Sequence, residues 1–219
     1  MNTRVVFSEE LDRLRRDVLT LASRVEEDLG KALTALRNDD EELAREVTAG
    51  DAAVNSLQLK IEDEAAMVIA TQQPVARDLR ELVVIFKLTG NLERIGDHAV
   101  HLAKTAIRFA GEAPFRSLVH LEKMAELEQE MIRRAVSAYL SRDSEAARAA
   151  AAMDRLIDGE HRALTEEVLS LMKEHPQFIK KAARLLRTSG RLERLGDHIT
   201  AICEGVVYMN EGSHEELND

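Results

Sequence analysis

The chain has 219 residues, 45% of them apolar and 32% charged, with 40 acidic against 30 basic side chains for a net charge of -10. That composition can bury a core and rules out a disordered tail. The acidic balance disfavours nucleic acid as the main partner. With ten Gly, three Pro and no Trp, the chain suits long helices rather than a many-stranded sheet.

The hydrophobic period is helical almost throughout. In the first element Leu11, Leu14, Val18, Leu21, Val25, Leu29, Ala32 and Leu36 fall at steps of three and four, on one face. Ser8 reads as its N-cap, with Glu9 and Glu10 in the first turn. Asn38-Asp39-Asp40 breaks that pattern, and Leu43, Val47, Val54 and Ile61 begin a second stripe. Pro74 ends the second helix and opens a third, from about Val75 to Phe109. Gly111 to Pro114 is the clearest linker.

The second half follows the same scheme. Leu118, Leu121, Met124, Leu127 and Met131 mark a helix that ends near Ser141-Arg142-Asp143. An alanine-rich helix should run from about Ser144 to His175, where Pro176 breaks it, and a last helix should reach about Asn210. The prediction is an all-α protein of six long helices, each roughly 30 residues or ~45 Å long. Thr89-Gly-Asn-Leu-Glu-Arg-Ile-Gly-Asp-His98 aligns with Ser189-Gly-Arg-Leu-Glu-Arg-Leu-Gly-Asp-His198 at an offset of 100, with seven of ten residues identical. The duplication predicts two tandem three-helix bundles, residues 1–111 and 112–219.

The single cysteine, Cys203, excludes an internal disulfide and a multi-Cys zinc site. The first residues hold no apolar stretch of signal-peptide length, and nowhere do ~18 apolar residues run together. These features fit a cytoplasmic protein without direct membrane insertion. There is no G-x-S-x-G, P-loop or Cys/His dyad pattern.

The duplicated block carries the candidate chemistry. Glu93 and Asp97 are four apart, as are Glu193 and Asp197, so each pair shares a helix face. Chance alone would give about seven such acid pairs, so it is the recurrence that counts. Each glutamate has glycines three residues before and after it, and no basic residue three or four positions away. Helical glycine costs about 1 kcal/mol against alanine, and a like-charge pair adds a few tenths. The preceding helix of each half supplies Asp51/Asn55 and Asp154/Asp158 at an offset of 103. Carboxylates converging from two helices suit iron, manganese, magnesium or zinc. The competing reading is salt bridging to Arg94, Arg194, Arg80 or Arg184. His98, His101, His198 and His161 serve either as ligands or in helix packing, while Met67, Met124, Met131, Met153 and Met172 read as core filler. Basic groups such as Arg13, Arg15, Arg16 or Lys180, Lys181, Arg184, Arg187 either dock an acidic partner or form an ordinary solvated face.

The blocks Gln73-Pro-Val-Ala-Arg-Asp-Leu-Arg80, Asn91-Leu-Glu-Arg-Ile-Gly-Asp-His98, Arg191-Leu-Glu-Arg-Leu-Gly-Asp-His198 and Gly205-Val-Val-Tyr208 resemble the PhoU family of phosphate-transport accessory and regulatory proteins. The resemblance spans essentially the whole chain. It implies two three-helix bundles whose E/D-x-x-x-D motifs hold multinuclear clusters of iron, zinc or another divalent metal. Here those motifs are Glu93/Asp97 and Glu193/Asp197, with Asp154/Asp158 on the companion helix. The first companion pair departs from the pattern, since Asn55 offers only a neutral carbonyl. The resemblance further implies a non-enzymatic homodimer at the inner face of the membrane. Such a protein restrains the phosphate ABC transporter through its ATPase subunit, and keeps a sensor histidine kinase in its inactive signalling mode. Two other readings remain at this point: a carboxylate-metal helical-bundle enzyme, and a purely structural helical scaffold.

Overall fold

A computed structural model describes residues 3–109 and 118–218. Seven α-helices and one 3-10 turn occupy them: α1 (Thr3–Asn38), α2 (Glu41–Gln72), α3 (Ala76–Phe109), α4 (Leu118–Ser141), α5 (Ser144–Ala151), α6 (Asp154–Glu174), the turn Pro176–Phe178, and α7 (Ile179–Glu211). Among the described residues there is no strand. The expected linker at 111–114 and the division at residue 111 lie outside the described residues.

Two junctions show the duplication at the level of single atoms. Asp39 and Arg142 both adopt left-handed backbone, with φ of 54° and 56°. The next residue in each case sends its N–H back to close the previous helix: Asp40 to Ala35 O and Asp143 to Ala138 O, both 3.0 Å. This is a helix C-terminal motif normally served by glycine. The same two aspartates then cap the following helix, Asp40 accepting from Leu43 N at 3.0 Å and Asp143 from Ala146 N at 2.9 Å. One residue thus ends one helix and starts the next, so the chain reverses within two residues.

Three sequence expectations change. Ser8 is not a cap; it lies exposed inside α1, which starts at Thr3. Phe7 packs against the core, so burial holds the extra turn. The six-helix scheme holds, but the alanine-rich fifth helix is interrupted at Ala152-Met153 and so is divided into α5 and α6. There Met153 N bonds Ala150 O at 3.1 Å and Leu156 N bonds Met153 O at 2.9 Å, spacings of three that tighten the chain. Met67 is 63% exposed rather than core, whereas Met124 and Met131 are fully buried.

Helices α1, α2 and α3 form the first bundle, and α4, α5, α6 and α7 the second. Every residue of the predicted α1 stripe is buried. The bundles share one continuous core, because α3 packs along α7 and α1 along α4. Gly205 of α7 makes the close approach possible: a Cβ there would lie 3.3 Å from Val84 Cγ1 of α3. His98 and His198 meet at the same seam with ring centroids 5.8 Å apart, and His198 Nδ1 donates to Asn91 Oδ1 at 3.0 Å. A buried ion cluster crosses the bundles. Glu81 of α3 accepts from Arg15 of α1 at 2.7 and 2.9 Å and from Arg142 of the α4–α5 turn at 2.5 Å.

Candidate metal centre

Each duplicated motif lies midway along the third helix of its bundle, facing the companion helix. In the second bundle Asp154 and Asp158 of α6 and Glu193 and Asp197 of α7 line one cleft of about 330 Å³. The α5–α6 break matters here. It makes Asp154 the first residue of α6 and turns it inward, leaving it only 9% exposed. Its matching residue, Asp51, sits within the unbroken α2 and is half-buried.

The charges are unbalanced. Burial pushes the Asp154 carboxyl up to about 7, and the neighbouring Asp158, Asp197 and Glu193 push it the same way. Its Oδ1 is buried with no hydrogen-bond partner. Asp197 accepts a hydrogen bond from Asn218 Nδ2 at 2.9 Å, which brings the end of the chain over the cleft. That segment is tied down by Arg148, which holds Glu211 and Glu215 at 2.9 and 2.6 Å.

In the first bundle Asp51 of α2 lies close enough to Glu93 of α3 to act on its charge, and Asn55 is one helical turn further along α2. Burial raises the Glu93 carboxyl, and Asp97, Asp51 and Glu62 raise it further against Arg94. Asn55 Oδ1 is buried and unpartnered. The salt-bridge reading is not what the structure shows. Among the described residues none of the motif acids forms an ion pair with Arg94, Arg194, Arg80 or Arg184, and Arg80 instead donates to Met209 O at 3.3 Å. Nor do three His, Cys, Asp or Glu side chains among the described residues already close on a single point.

The donor set fits a hard cation. It is made of oxygen ligands, its four acids in the second cleft outnumber the two arginines, Arg148 and Arg155, that line it, and each half contains a buried oxygen with no partner. A cation would neutralise the mutual repulsion that now raises Asp154 and Glu93.

Sequence reasoning missed three neighbours. Glu62 lies one further heptad along α2 from Asn55 and accepts from Thr89 Oγ1 at 3.2 Å. Asn218 belongs to the returning C-terminal segment, which has no helical period to place it. Glu128 is fully buried with neither carboxyl oxygen partnered, and burial aided by Asp154 raises its pKa well above the ordinary range. Its signal was present, since position 128 falls on the apolar face of Leu121, Met124 and Met131. The histidines turn to packing: His161 Nδ1 shares a 2.5 Å hydrogen bond with Ser189 Oγ, and His98 is held near 4 by burial and by His198 and His101.

The glycines differ in purpose. A Cβ on Gly196 would collide with Asp154 Oδ1, while one on Gly96 would lie 3.2 Å from Val54 Cγ1 and one on Gly90 would meet nothing within 4 Å. Only Gly196 clears space for a carboxylate. Gly90→Ala is therefore expected to gain about 0.5–1 kcal/mol. Gly196→Ala is expected to lose about 1–3 kcal/mol as Asp154 is driven off its position. Thermal unfolding of the two variants beside the parent chain measures the contrast, and equal shifts would contradict it.

The fold and site define a class: a tandem pair of helical bundles, each presenting a clustered acidic motif from its third helix and the companion helix before it. The chain belongs to the PhoU family. The PhoU domain pattern matches residues 18–106 and again 121–206. A PhoU homolog of Clostridium acetobutylicum, described as a phosphate-specific transport system accessory protein, is 31% identical over 218 residues, covering 99% of this chain and 100% of that protein. The accessory protein PhoU of Escherichia coli (strain K12) is 32% identical over 206 residues, covering 94% of this chain and 86% of that one. The crystal structure of PhoU from Pseudomonas aeruginosa superposes with a TM-score of 0.89 at 32% identity, covering 94% of this chain and all 100% of that one. The phosphate transport system regulatory protein PhoU of Streptococcus pneumoniae gives the same TM-score of 0.89 and covers 95% of this chain.

Proposed function

We propose that this chain is a non-enzymatic accessory protein that restrains a phosphate-specific transporter and the phosphate-starvation response. It acts as an adaptor between the transporter's ATPase subunit and a sensor histidine kinase, most simply as a homodimer in the cytoplasm. The family membership supports this reading, and so does the absence of any helix among the described residues long and apolar enough to cross a membrane.

The observation that carries the metal part is the repeated acidic cluster with a buried, unpartnered oxygen in each half. Asp154, Asp158, Glu193 and Asp197 would hold divalent metal in the second bundle, and Asp51, Asn55, Glu93 and Asp97 in the first. The ion would supply positive charge that ties the companion helix to the third helix of each bundle. Asp97 and Asp197 are exposed, as suits a docking or structural ion, whereas a metal enzyme would enclose its substrate. The first site offers one carboxylate fewer and is the weaker of the two.

Elemental analysis of the purified chain and of Glu93→Ala/Glu193→Ala tests the ligands. The parent is expected to carry metal after reconstitution with iron, manganese or zinc, the variant markedly less, and metal should raise the parent's melting temperature. No metal in either would move these acids to partner docking. Regulation is tested separately. Deleting the gene should release phosphate uptake from control, and the parent gene should restore it.

A further inference from the structure

A second charged feature lies at the seam of the two bundles. Arg108 of α3 and Arg184, Arg187 and Arg191 of α7 line a cleft of about 50 Å³ together with Thr105 and Thr188. The three α7 arginines stand at steps of three and four, on one helix face. Thr105 Oγ1 and Thr188 Oγ1 come within 3.4 Å of each other, so the two helices meet at its floor. Each hydroxyl proton is already given to a backbone carbonyl, of His101 at 2.9 Å and of Arg184 at 3.0 Å. The guanidinium groups are thus the donors this cleft offers.

Among the described residues those guanidiniums form no ion pair with a carboxylate. At least nine other arginines among the described residues are in ion pairs, such as Arg37 with Glu126 at 3.0 Å and Arg148 with Glu215 at 2.6 Å, and others such as Arg94 and Arg194 are in none, so what sets this cleft apart is that four arginines without an ion pair line one space. Among the described residues Arg108, Arg184, Arg187 and Arg191 are in none, although the chain has 40 acidic residues to offer. Four like charges gathered from two bundles cost free energy unless an anion offsets them. The positive field is felt nearby: after burial, Arg191, Lys104 and Arg108 are what hold His101 below its ordinary pKa, against the pull of Asp97.

We propose that this cleft binds a single tetrahedral oxyanion, inorganic phosphate, through the guanidiniums of both bundles. Guanidinium forks match the oxygens of such an anion in pairs. The cleft is small and open to solvent, so an anion can enter it directly and reach all four side chains that line it. Because Arg108 belongs to the first half of the chain and the others to the second, occupancy would fasten α3 to α7. A phosphate-transport regulator would then read the ion itself at its bundle seam. The site shares no residue with the acidic motifs and stands or falls independently of metal there.

The test uses the full-length chain stripped of metal by a chelator. Inorganic phosphate is titrated at constant ionic strength against chloride, followed by calorimetry and by melting temperature. Saturable binding with a rise in melting temperature is expected, and sulfate, of the same shape, should compete. Arg184→Gln/Arg191→Gln should weaken phosphate at least about tenfold. Without phosphate that variant should melt at or above the parent's temperature, since repulsion is relieved. Glu93→Ala/Glu193→Ala should bind phosphate as the parent does. The proposal is overturned if phosphate acts no differently from chloride, if the arginine variant binds it undiminished, or if binding disappears in the acidic-motif variant instead.

Discussion

Glu81→Ala is expected to lower the melting temperature by roughly 10 °C, the largest loss of any single substitution discussed. The Glu81 side chain is 1% exposed and carries its charge between Arg15 at 2.7 Å and Arg142 at 2.5 Å. Removing it leaves Arg142 with no anion and Arg15 with only the exposed Asp12, 2.7 Å away, so two partly buried guanidiniums face each other without the carboxylate between them. Breaking a buried pair in this way costs about 3–5 kcal/mol, and each kcal/mol moves Tm by about 2–4 °C in a chain of this size. The three residues come from α3, α1 and the α4–α5 turn, so the loss is one of bundle-to-bundle attachment as well as of charge pairing. Arg142→Ala should cost less, because Arg15 still satisfies Glu81 through two hydrogen bonds. Circular dichroism melting of the two variants decides it. A Glu81→Ala shift no larger than that of Arg142→Ala would show that the cluster does not hold the bundles together.

Glu128→Val should move stability in the opposite direction, by about 1–3 kcal/mol in the metal-free chain. The carboxyl is fully buried and neither oxygen has a partner, so its desolvation is uncompensated. Valine has nearly the same volume, and Val25 already occupies the corresponding place in the first bundle, at the matching offset of 103. The gain has a defined pH dependence. The folded carboxyl has a raised pKa while the unfolded one titrates near ~4.3. Between those values the folded state holds the extra proton, so this group costs the parent chain stability as pH rises above ~4.3. Asp154, raised to about 7, acts in the same direction in both proteins and largely cancels in the comparison. The melting-temperature gap between variant and parent should therefore be small near pH 4 and wider at pH 7. A gap that is constant or narrows with pH would refute the assignment of cost to this carboxyl.

Local physics is legible along most of this chain. The α1 stripe from Leu11 to Leu36 is buried as its spacing requires, because helical period fixes which side chains share a face whatever the partner is. Asp40 and Asp143 cap helices for reasons confined to three residues of backbone. Pro74 and Pro176 stop helices through their own rings. The duplication was equally readable, and with it the placing of Glu93/Asp97 and Glu193/Asp197 on matching faces.

The misreadings have a common origin in contacts between distant segments. Ser8 had the right chemistry for a cap, but burial of Phe7 carried the helix past it. The run Ser144–His175 has strong helical propensity throughout, yet it breaks at Ala152-Met153 where α5 and α6 fit separately against α7. Arg15 read as part of a basic surface group, and in the folded chain it is committed to Glu81, 66 positions away.

The sequence by itself thus determined the all-helical class, the tandem repeat, the helix ends at Asp40, Pro74, Asp143 and Pro176 and the face on which each acid lies, because these depend on interactions within about a turn of helix. Tertiary structure alone decided which acid turns inward at Asp154, which carboxyl is stranded at Glu128, and which arginines of α3 and α7 come together without a counter-charge. Those outcomes depend on how helices far apart in the chain pack side by side, and a repeat of three and four residues carries no record of that.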